Sequence, residues 1–409
     1  MDAETISARI SAISVDDSRE LDHACETLAG ELERAGTEPP FDLNSADFAG
    51  DPYLITADRY WRLRFLDRPS IRTAGECARW LYAHLPEENG TRDVSVRTAI
   101  EEKWALGYAF VTKDSVESRA DLDSATTDLV GSADISYFAT LYHAGKLRSN
   151  FAFDELHRFV ESSLIAAAAG PYREQPVFQA LQAFAAYGSR AITTERARQL
   201  LDDAWLDHRR TRATVDICLN ALYAATPFEG HGETLRERAE EAVREWPRDH
   251  LFRYRLARGQ QMCGRLDAAL ESVDRALSLL PAHGNRGSHK LLQEQYLGRR
   301  EAILDGRIQA GRHEEQRRQW DRQNAHNQDL ARRLESSTFT TVSVVTLFIA
   351  AVSFVISSVQ LTFAGRLPLT DRAILMAELA GGQLLFAALI IGCTRLLTRP
   401  GRGSPGRER

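Results

Sequence analysis

The amino-acid sequence predicts an all-α protein, and three observations support this prediction. Runs of alternating β-branched residues bounded by turns are scarce before residue 337, and the apolar segment 110–112 is too short for a strand. Apolar residues recur instead at the spacing of helix faces, with breaks such as Pro69 and Pro86 between the helical segments. Two long apolar stretches near the end of the chain predict a transmembrane helical hairpin.

Residues 1–180 are predicted to form a helical N-terminal domain or a set of divergent helical repeats. Their apolar residues lie three or four positions apart in segments that are joined by short breaks, which is typical of stacked antiparallel helices. The faces on which this prediction depends are Leu21, Ala24, Leu28 and Leu32, then Ala74, Cys77, Trp80 and Leu81, then Ile100, Trp104 and Tyr108, and then Leu156, Phe159 and Val160.

Residues 181–285 contain two segments that share one layout at a spacing of 34 residues. Each segment has an apolar helix, a glycine turn, a second helix with small residues and a terminal proline. The paired positions are Leu222 and Leu256, Gly230 and Gly264, Ala242 and Ala276, and Pro247 and Pro281, and the second segment adds Ala257 and Ala269. This pattern resembles the tetratricopeptide repeat family, whose repeats are 34 residues long.

The resemblance implies a helical-repeat (tetratricopeptide-like) solenoid whose concave surface binds a segment of a protein partner. It covers residues 215–281, and residues 183–208 add a degenerate unit only if the spacing is adjusted. Leu235 departs from the family pattern, which expects a small residue at its position, and Leu219 and Arg253 replace large aromatic residues.

Residues 286–336 are predicted to form a long stalk helix that continues into the first membrane segment. Beyond Gly311 polar residues cover all sides of this helix except at Trp320, so no coiled-coil seam is expected. An apolar face on its first half, which we expect to cap the repeats, consists of Leu292, Tyr296, Ile303, Leu304 and Ile308.

Residues 337–365 and 373–394 are predicted to be two transmembrane helices, because about 20 apolar residues cross a hydrocarbon core about 30 Å thick. The first segment has no charged residue, and Glu378 is the only charge in the second. The alternative is a pair of core helices in a soluble domain. Arginines precede the first segment and follow the second, so we expect both termini in the cytoplasm and the loop outside the cell membrane. The basic tail, residues 395–409, is expected to be disordered.

Both predicted membrane helices carry a face of small or polar residues, which indicates helix packing or a pore lining. These residues are Ser343, Thr346, Ala350, Ser353, Ser357 and Gln360 on the first helix, and Ala377, Gly381, Ala388 and Gly392 on the second. Glu378 is ionisable, which indicates a functional site in a membrane helix, although Arg372 is near enough in sequence to pair with it. Packing and pore lining both remain open, and a pore requires a homo-oligomer because one hairpin has too few helices.

Composition and motifs argue against several classes of function. The formal net charge of −6 shows no basic excess for nucleic-acid binding, and the five cysteines lack the spacing of zinc sites or disulfide frameworks. The segment 313–317 begins like a zinc-protease helix, but Arg317 stands where the second histidine is needed. No phosphate loop, dinucleotide fingerprint or nucleophile elbow is present. We therefore expect no catalytic residue, metal site or cofactor, and no cleaved signal peptide.

The sequence favours a membrane-anchored scaffold that binds a protein partner at the cytoplasmic face and contacts membrane lipid. The alternative is a membrane-permeabilising effector, in which the repeats sense a partner and trigger the hairpins to oligomerise into a pore. A membrane-tethered enzyme is a third hypothesis, and no motif supports it.

Overall fold

Every regular element in the described part of the chain is a helix, as the spacing of the apolar residues predicts. The structure is a computed structural model that describes residues 3–15, 17–85, 91–189, 192–280, 286–363 and 368–397. No strand occurs in these residues, which confirms the all-α class for them. The chain divides into two units, Met1–Arg307 and Ile308–Arg409.

The first unit opens with six helices, and side-chain caps fix where several of them begin. The carboxylate of Asp17 accepts hydrogen bonds from two backbone N–H groups at the start of α2, and Asp51 caps α3 in the same way. Gly36 ends α2 with a φ of 65°, which glycine adopts without steric cost. The helices are α1 (Ala3–Ser11), α2 (Ser18–Ala35), α3 (Pro52–Asp67), α4 (Ile71–His84), α5 (Thr91–Val111) and α6 (Arg119–Leu129).

A central helix, α7 (Ala133–Ser149), lies in the middle of this unit. Every residue from Ser136 to Leu147 is buried, because α7 packs against α4 and α5 and against α8 (Phe153–Ser162) and α9 (Leu164–Ala168). A helix that is buried on all sides belongs to the core. No apolar face marks this segment in the sequence, because polar residues such as Ser136, Thr140 and Lys146 lie among the apolar ones.

The chain continues through a short 3₁₀ helix, Gly170–Glu174, into six more helices. They are α10 (Pro176–Gly188), α11 (Thr194–Leu206), α12 (Arg212–Ala224), α13 (His231–Glu245), α14 (His250–Met262) and α15 (Leu266–Ser278). The boundary expected between residues 180 and 181 falls inside α10. Buried side chains from Ile6 to Leu256 form one hydrophobic core that continues across this point.

A largely buried ion triad joins three of these helices. Asp216 on α12 accepts a hydrogen bond from Arg148 of α7 over 3.1 Å and another from Arg255 of α14 over 2.7 Å. Burial opposes ionisation of this carboxyl, but the charges of Arg255 and Arg148 outweigh it and hold the pKa of Asp216 well below its ordinary value. The triad therefore ties the central helix to the region of the predicted repeats.

Glu102 on α5 is a buried carboxyl whose pKa is raised, whereas the pKa of Asp216 is lowered. Burial raises the pKa of Glu102 to about 7, a hydrogen bond from the Thr211 hydroxyl opposes this rise, and the nearby charge of Glu101 adds to it. Thr211 is also the N-cap of α12. The carboxyl thus lies where α5 meets the start of α12.

We expect Glu102→Gln to stabilise the fold at pH 8 and to have little effect at pH 5. A carboxyl whose pKa rises from 4.5 in the unfolded chain to about 7 in the fold binds a proton more tightly when folded. Stability is therefore lost as the pH rises through this interval, and the loss is about 3 kcal/mol at pH 8. Thermal unfolding at both pH values measures the difference, with Glu195→Gln at an exposed carboxyl of α11 as the control. A wild type and a Glu102→Gln variant with the same pH dependence would contradict this assignment.

The remaining helices are α16 (Arg286–Phe363) and α17 (Leu369–Leu397). In the first unit, Tyr296 and Ile303 of α16 are fully buried against side chains of α14 and α15, and Leu292 packs beside them. Ile308, which the predicted apolar face includes, is 53% exposed and belongs to the second unit.

The second unit contains the apolar segments. Among the described residues one window, Thr340–Ser357 with a mean hydropathy of 2.1, is long and apolar enough to cross a membrane. The apolar run in α17 is the shorter Ala373–Phe386. The helix α17 continues to Leu397, so the first residues of the predicted disordered tail are helical, and residues 398–409 lie outside the described part.

Candidate protein-binding surface

The predicted repeat positions lie in two helix–turn–helix units, α12 with α13 and α14 with α15. Gly230 and Gly264 stand at the two turns with φ angles of 74° and 73°, a left-handed conformation that favours glycine. Pro247 follows the end of α13, and Pro281 lies outside the described residues. The buried positions are Leu222, Ala242, Leu256, Ala257, Ala269 and Ala276.

Three tyrosines from alternate helices, α12, α14 and α16, meet beside these units. Tyr254 of α14 stacks on Tyr296 of α16, with ring centroids 4.4 Å apart and an angle of 13° between the ring planes. The hydroxyl of Tyr254 is 3.2 Å from that of Tyr223 on α12. His250 Nδ1 lies 2.8 Å from the Tyr296 hydroxyl and fixes the far end of the stack. The tyrosines therefore form a continuous aromatic and hydroxylated row.

Two arginines lie along this row. The guanidinium of Arg299 donates to the Tyr223 hydroxyl over 2.8 Å and to Oε1 of Gln261 over 3.2 Å. Arg258 donates to the same Gln261 oxygen over 3.3 Å. Both side chains are partly exposed. We call Tyr223, Tyr254, Arg258, Gln261, Tyr296 and Arg299 the tyrosine–arginine surface.

The two guanidinium groups of this surface have only neutral partners among the described residues, and no ion pair there includes Arg258 or Arg299. Other arginines of α16 are paired: Arg300 donates to Asp274 over 2.6 Å, and Arg307 lies 3.1 Å from Asp267. Carboxylates of α15 thus neutralise one side of α16 and leave the tyrosine–arginine surface positive.

The electrostatics of this surface favour an anionic ligand. Burial lowers the pKa of Arg258, and the positive charge of Arg299 lowers it further, so the two guanidinium groups repel one another. Burial and the neighbouring Tyr223 raise the pKa of Tyr254 to about 12, so its hydroxyl stays neutral and can donate a hydrogen bond. A carboxylate or phosphate placed here would relieve the repulsion and accept bonds in the fork geometry of arginine.

The spacing of residues in the sequence does not predict the tyrosine–arginine surface. Its members are separated by up to 76 positions, and none belongs to a short motif. The sequence offers one signal, because Tyr223 and Tyr254 lie on the first helices of the two predicted units. The contribution of Tyr296 and Arg299 depends on how α16 packs, which spacing alone does not specify.

The small and polar residues predicted to share one face of the first apolar segment, here called the polar stripe, lie mostly on the less exposed side of α16. Thr346 is buried, and Ser343, Ala350, Ser353 and Ser357 are intermediate, whereas the apolar residues around them, such as Phe348 and Val355, are exposed. Gln360, at the end of the stripe, is exposed.

The small residues of α17 lie on its more exposed side. Ala377, Gly381, Ala388 and Gly392 are all exposed, and so is Glu378. The less exposed positions recur three or four residues apart and include Met376, Leu379, Ala380 and Gln383.

A scan against protein-family models, a search of curated proteins and a search of solved structures found no match to this chain. The fold and the surface define an all-helical protein with one apolar helix of membrane-spanning length among its described residues. The tetratricopeptide resemblance therefore rests on the residues of the two predicted units.

Proposed function

We propose that this protein is a membrane-anchored helical scaffold that binds an acidic segment of a partner protein on the tyrosine–arginine surface. The observation that carries the proposal is the pair Arg258 and Arg299, which share one amide oxygen and have no carboxylate partner among the described residues. The 34-residue layout supports a repeat scaffold, and the Thr340–Ser357 window supports an anchor.

A protein segment fits this surface better than a small free anion does. The surface extends over α12, α14 and α16, and the partly exposed ring of Tyr223 provides area for apolar contact beside the charges, whereas Tyr254 and Tyr296 are buried. Tyrosine and arginine are among the residues that dominate the binding energy of protein interfaces. An extended chain with carboxylates next to apolar side chains uses both features.

Binding of a defined acidic peptide tests the proposal. We expect the full chain in detergent to bind a fluorescent decapeptide of alternating glutamate and leucine, and to bind its glutamine counterpart weakly. Each hydrogen bond to a charged group contributes about 1.5–3 kcal/mol, so Arg258→Gln with Arg299→Gln should weaken binding at least 30-fold in fluorescence anisotropy. The affinity should also fall as the salt concentration rises.

Arg300→Gln is the matched control for this measurement. Arg300 follows Arg299 on α16, but Asp274 already pairs with it, so its loss should change the affinity less than threefold. Equal losses in the control and in the double variant, or unchanged binding by the double variant, would contradict the proposed surface.

The second candidate function is membrane permeabilisation by oligomers of the hairpin. It is favoured by two buried polar atoms, Oγ of Ser343 and Oε1 of Gln383, that have no hydrogen-bond partner among the described residues. Neighbouring copies or pore water would supply such partners. Dye release from liposomes that contain the protein and the acidic peptide would support this function if Ser353→Leu with Gln360→Leu abolished it. Intact liposomes with and without the peptide would contradict it.

A further inference from the structure

A buried ionic cluster connects α7 to the loop before α6. Nζ of Lys146, which is fully buried, donates to the backbone oxygen of Ser115 over 2.6 Å and to Oε1 of Glu117 over 2.8 Å. Burial opposes ionisation of Glu117, but the hydrogen bond from His143 and the charge of Lys146 outweigh it and hold the pKa of Glu117 below its ordinary value. Glu117 is therefore a carboxylate with two basic neighbours.

This carboxylate sets the tautomer of His143. Oε2 of Glu117 lies 2.8 Å from Nδ1 of His143 and can only accept, so Nδ1 carries a proton and Nε2 of the neutral ring is an acceptor. The ring of Phe159 packs edge to face with the imidazole of His143, and the two ring centroids are 4.5 Å apart. The His143 side chain is 3% exposed, and its Nε2 makes no hydrogen bond within the described residues.

The His143 ring lines a cavity of about 660 Å³ between α6, α7 and α8. Cavities of about 300–1,000 Å³ are typical of sites for small organic molecules, which combine apolar walls with a few polar groups. The apolar walls here are Leu122, Leu147, Phe159 and Leu164. The charged residues of the lining, apart from the Glu117–His143 pair, balance one another as two arginines and two acids, Arg119, Arg158, Asp123 and Glu155.

The structural role of the cluster does not account for this arrangement. The bonds from Lys146 to Ser115 and Glu117 already anchor the loop, and they need no histidine. Nε2 of His143 has no hydrogen-bond donor among the described residues and the ring lines the cavity, so a molecule in the cavity can supply a group that donates to it. Because the other lining charges balance, that group belongs to an uncharged ligand.

We propose that this cavity binds a neutral amphipathic small molecule that carries a hydroxyl group. The hydroxyl donates to Nε2 of His143, and the apolar body lies against Phe159 and Leu147. His143 and Arg148 both lie on α7. A bound ligand therefore also stabilises the helix whose Arg148 pairs with Asp216. This site is separate from the tyrosine–arginine surface and does not depend on its function.

Equilibrium dialysis of the full chain in detergent at pH 8 tests the site with 2-naphthol as the probe. Partition into detergent is measured without protein and subtracted. We expect saturable binding of one 2-naphthol, and binding at least tenfold weaker for 2-methoxynaphthalene, which has the same apolar body but no hydroxyl donor. His143→Phe should weaken 2-naphthol binding at least tenfold and abolish the preference for the hydroxyl.

Ser162→Trp is a second variant that leaves the ionic cluster intact. Ser162 is an exposed residue of the cavity lining at the end of α8, so a tryptophan there should block the cavity without disturbing the core. Its loss of 2-naphthol binding, with an unchanged melting temperature of the free protein, would support the site even if His143→Phe fails to fold. Equal binding of both probes to the wild type, undiminished binding to Ser162→Trp, or no saturable binding would each overturn the proposal.

Discussion

Asp216→Ala is expected to lower the free energy of unfolding by about 3–5 kcal/mol, because it leaves two largely buried guanidinium groups without their carboxylate. Arg148 and Arg255 come from different helices, so both lose their shared partner and cannot turn to water without moving α7 or α14. Unfolding by urea, followed by circular dichroism, measures the loss. It is the largest effect that we expect from any single substitution of a polar residue in this chain.

The sign of the pH dependence follows from the lowered pKa of Asp216. The triad stabilises the fold fully above the ordinary aspartate pKa of about 3.9, and this contribution is lost as the pH falls below it. Acid unfolding of Asp216→Ala should therefore show a weaker pH dependence than that of the wild type. The triad thus acts in the opposite direction to Glu102, which destabilises the fold as the pH rises.

Two comparisons make this prediction specific. Asp202→Ala removes the partner of Arg238 in a partly exposed ion pair, where we expect a loss below about 1 kcal/mol. Replacing the whole triad, with Arg148→Met, Asp216→Leu and Arg255→Met in one variant, should recover most of the stability, because apolar side chains of similar volume need no charge partner. A loss for Asp216→Ala that is no larger than that for Asp202→Ala would contradict the prediction.

The second large effect concerns the apolar window Thr340–Ser357, the proposed membrane anchor. Phe348→Arg with Val352→Arg is expected to shift the protein from the membrane fraction to the soluble fraction, because an arginine at the centre of a spanning helix costs about 2.5–3.5 kcal/mol. Both side chains are exposed in the second unit, so the substitutions should leave the fold of the helix unchanged. Carbonate extraction and ultracentrifugation of cell membranes measure the distribution.

Phe348→Leu with Val352→Leu is the apolar control and should remain in the membrane fraction. Gln323→Arg with Asn324→Arg, in the polar part of α16, should also leave the distribution unchanged. A wild type in the soluble fraction would contradict membrane anchoring itself. A double arginine variant of Phe348 and Val352 that stays in the membrane would show that another segment, such as Ala373–Phe386, anchors the chain.

Local signals in the sequence predict much of the helical organisation. The 34-residue spacing relates Gly230 to Gly264, and both glycines stand between paired helices with nearly equal φ angles. Short-range pattern is enough here because a turn with positive φ needs glycine and a helix face needs apolar residues at a fixed period. The same logic fails for α7, since its apolar and polar residues are buried alike and no face stands out.

The candidate sites required the folded arrangement. Arg299 and Arg300 are neighbours in the sequence, and nothing in the sequence distinguishes them. In the fold, Asp274 of α15 pairs with Arg300, whereas Arg299 donates to the neutral hydroxyl of Tyr223. His143 and Glu117 are separated by 26 positions and become partners only when α7 is enclosed by its neighbours.

The sequence by itself determined the helical class, the two glycine turns at Gly230 and Gly264 and the apolar segment near the end of the chain, because each depends on residues that are close in sequence. Only the tertiary structure decided which charges are neutralised, which histidine nitrogen lacks a partner and which face of each helix is covered. These properties depend on distances between side chains from different helices, and small differences in helix packing decide whether two charges meet or remain available for a ligand.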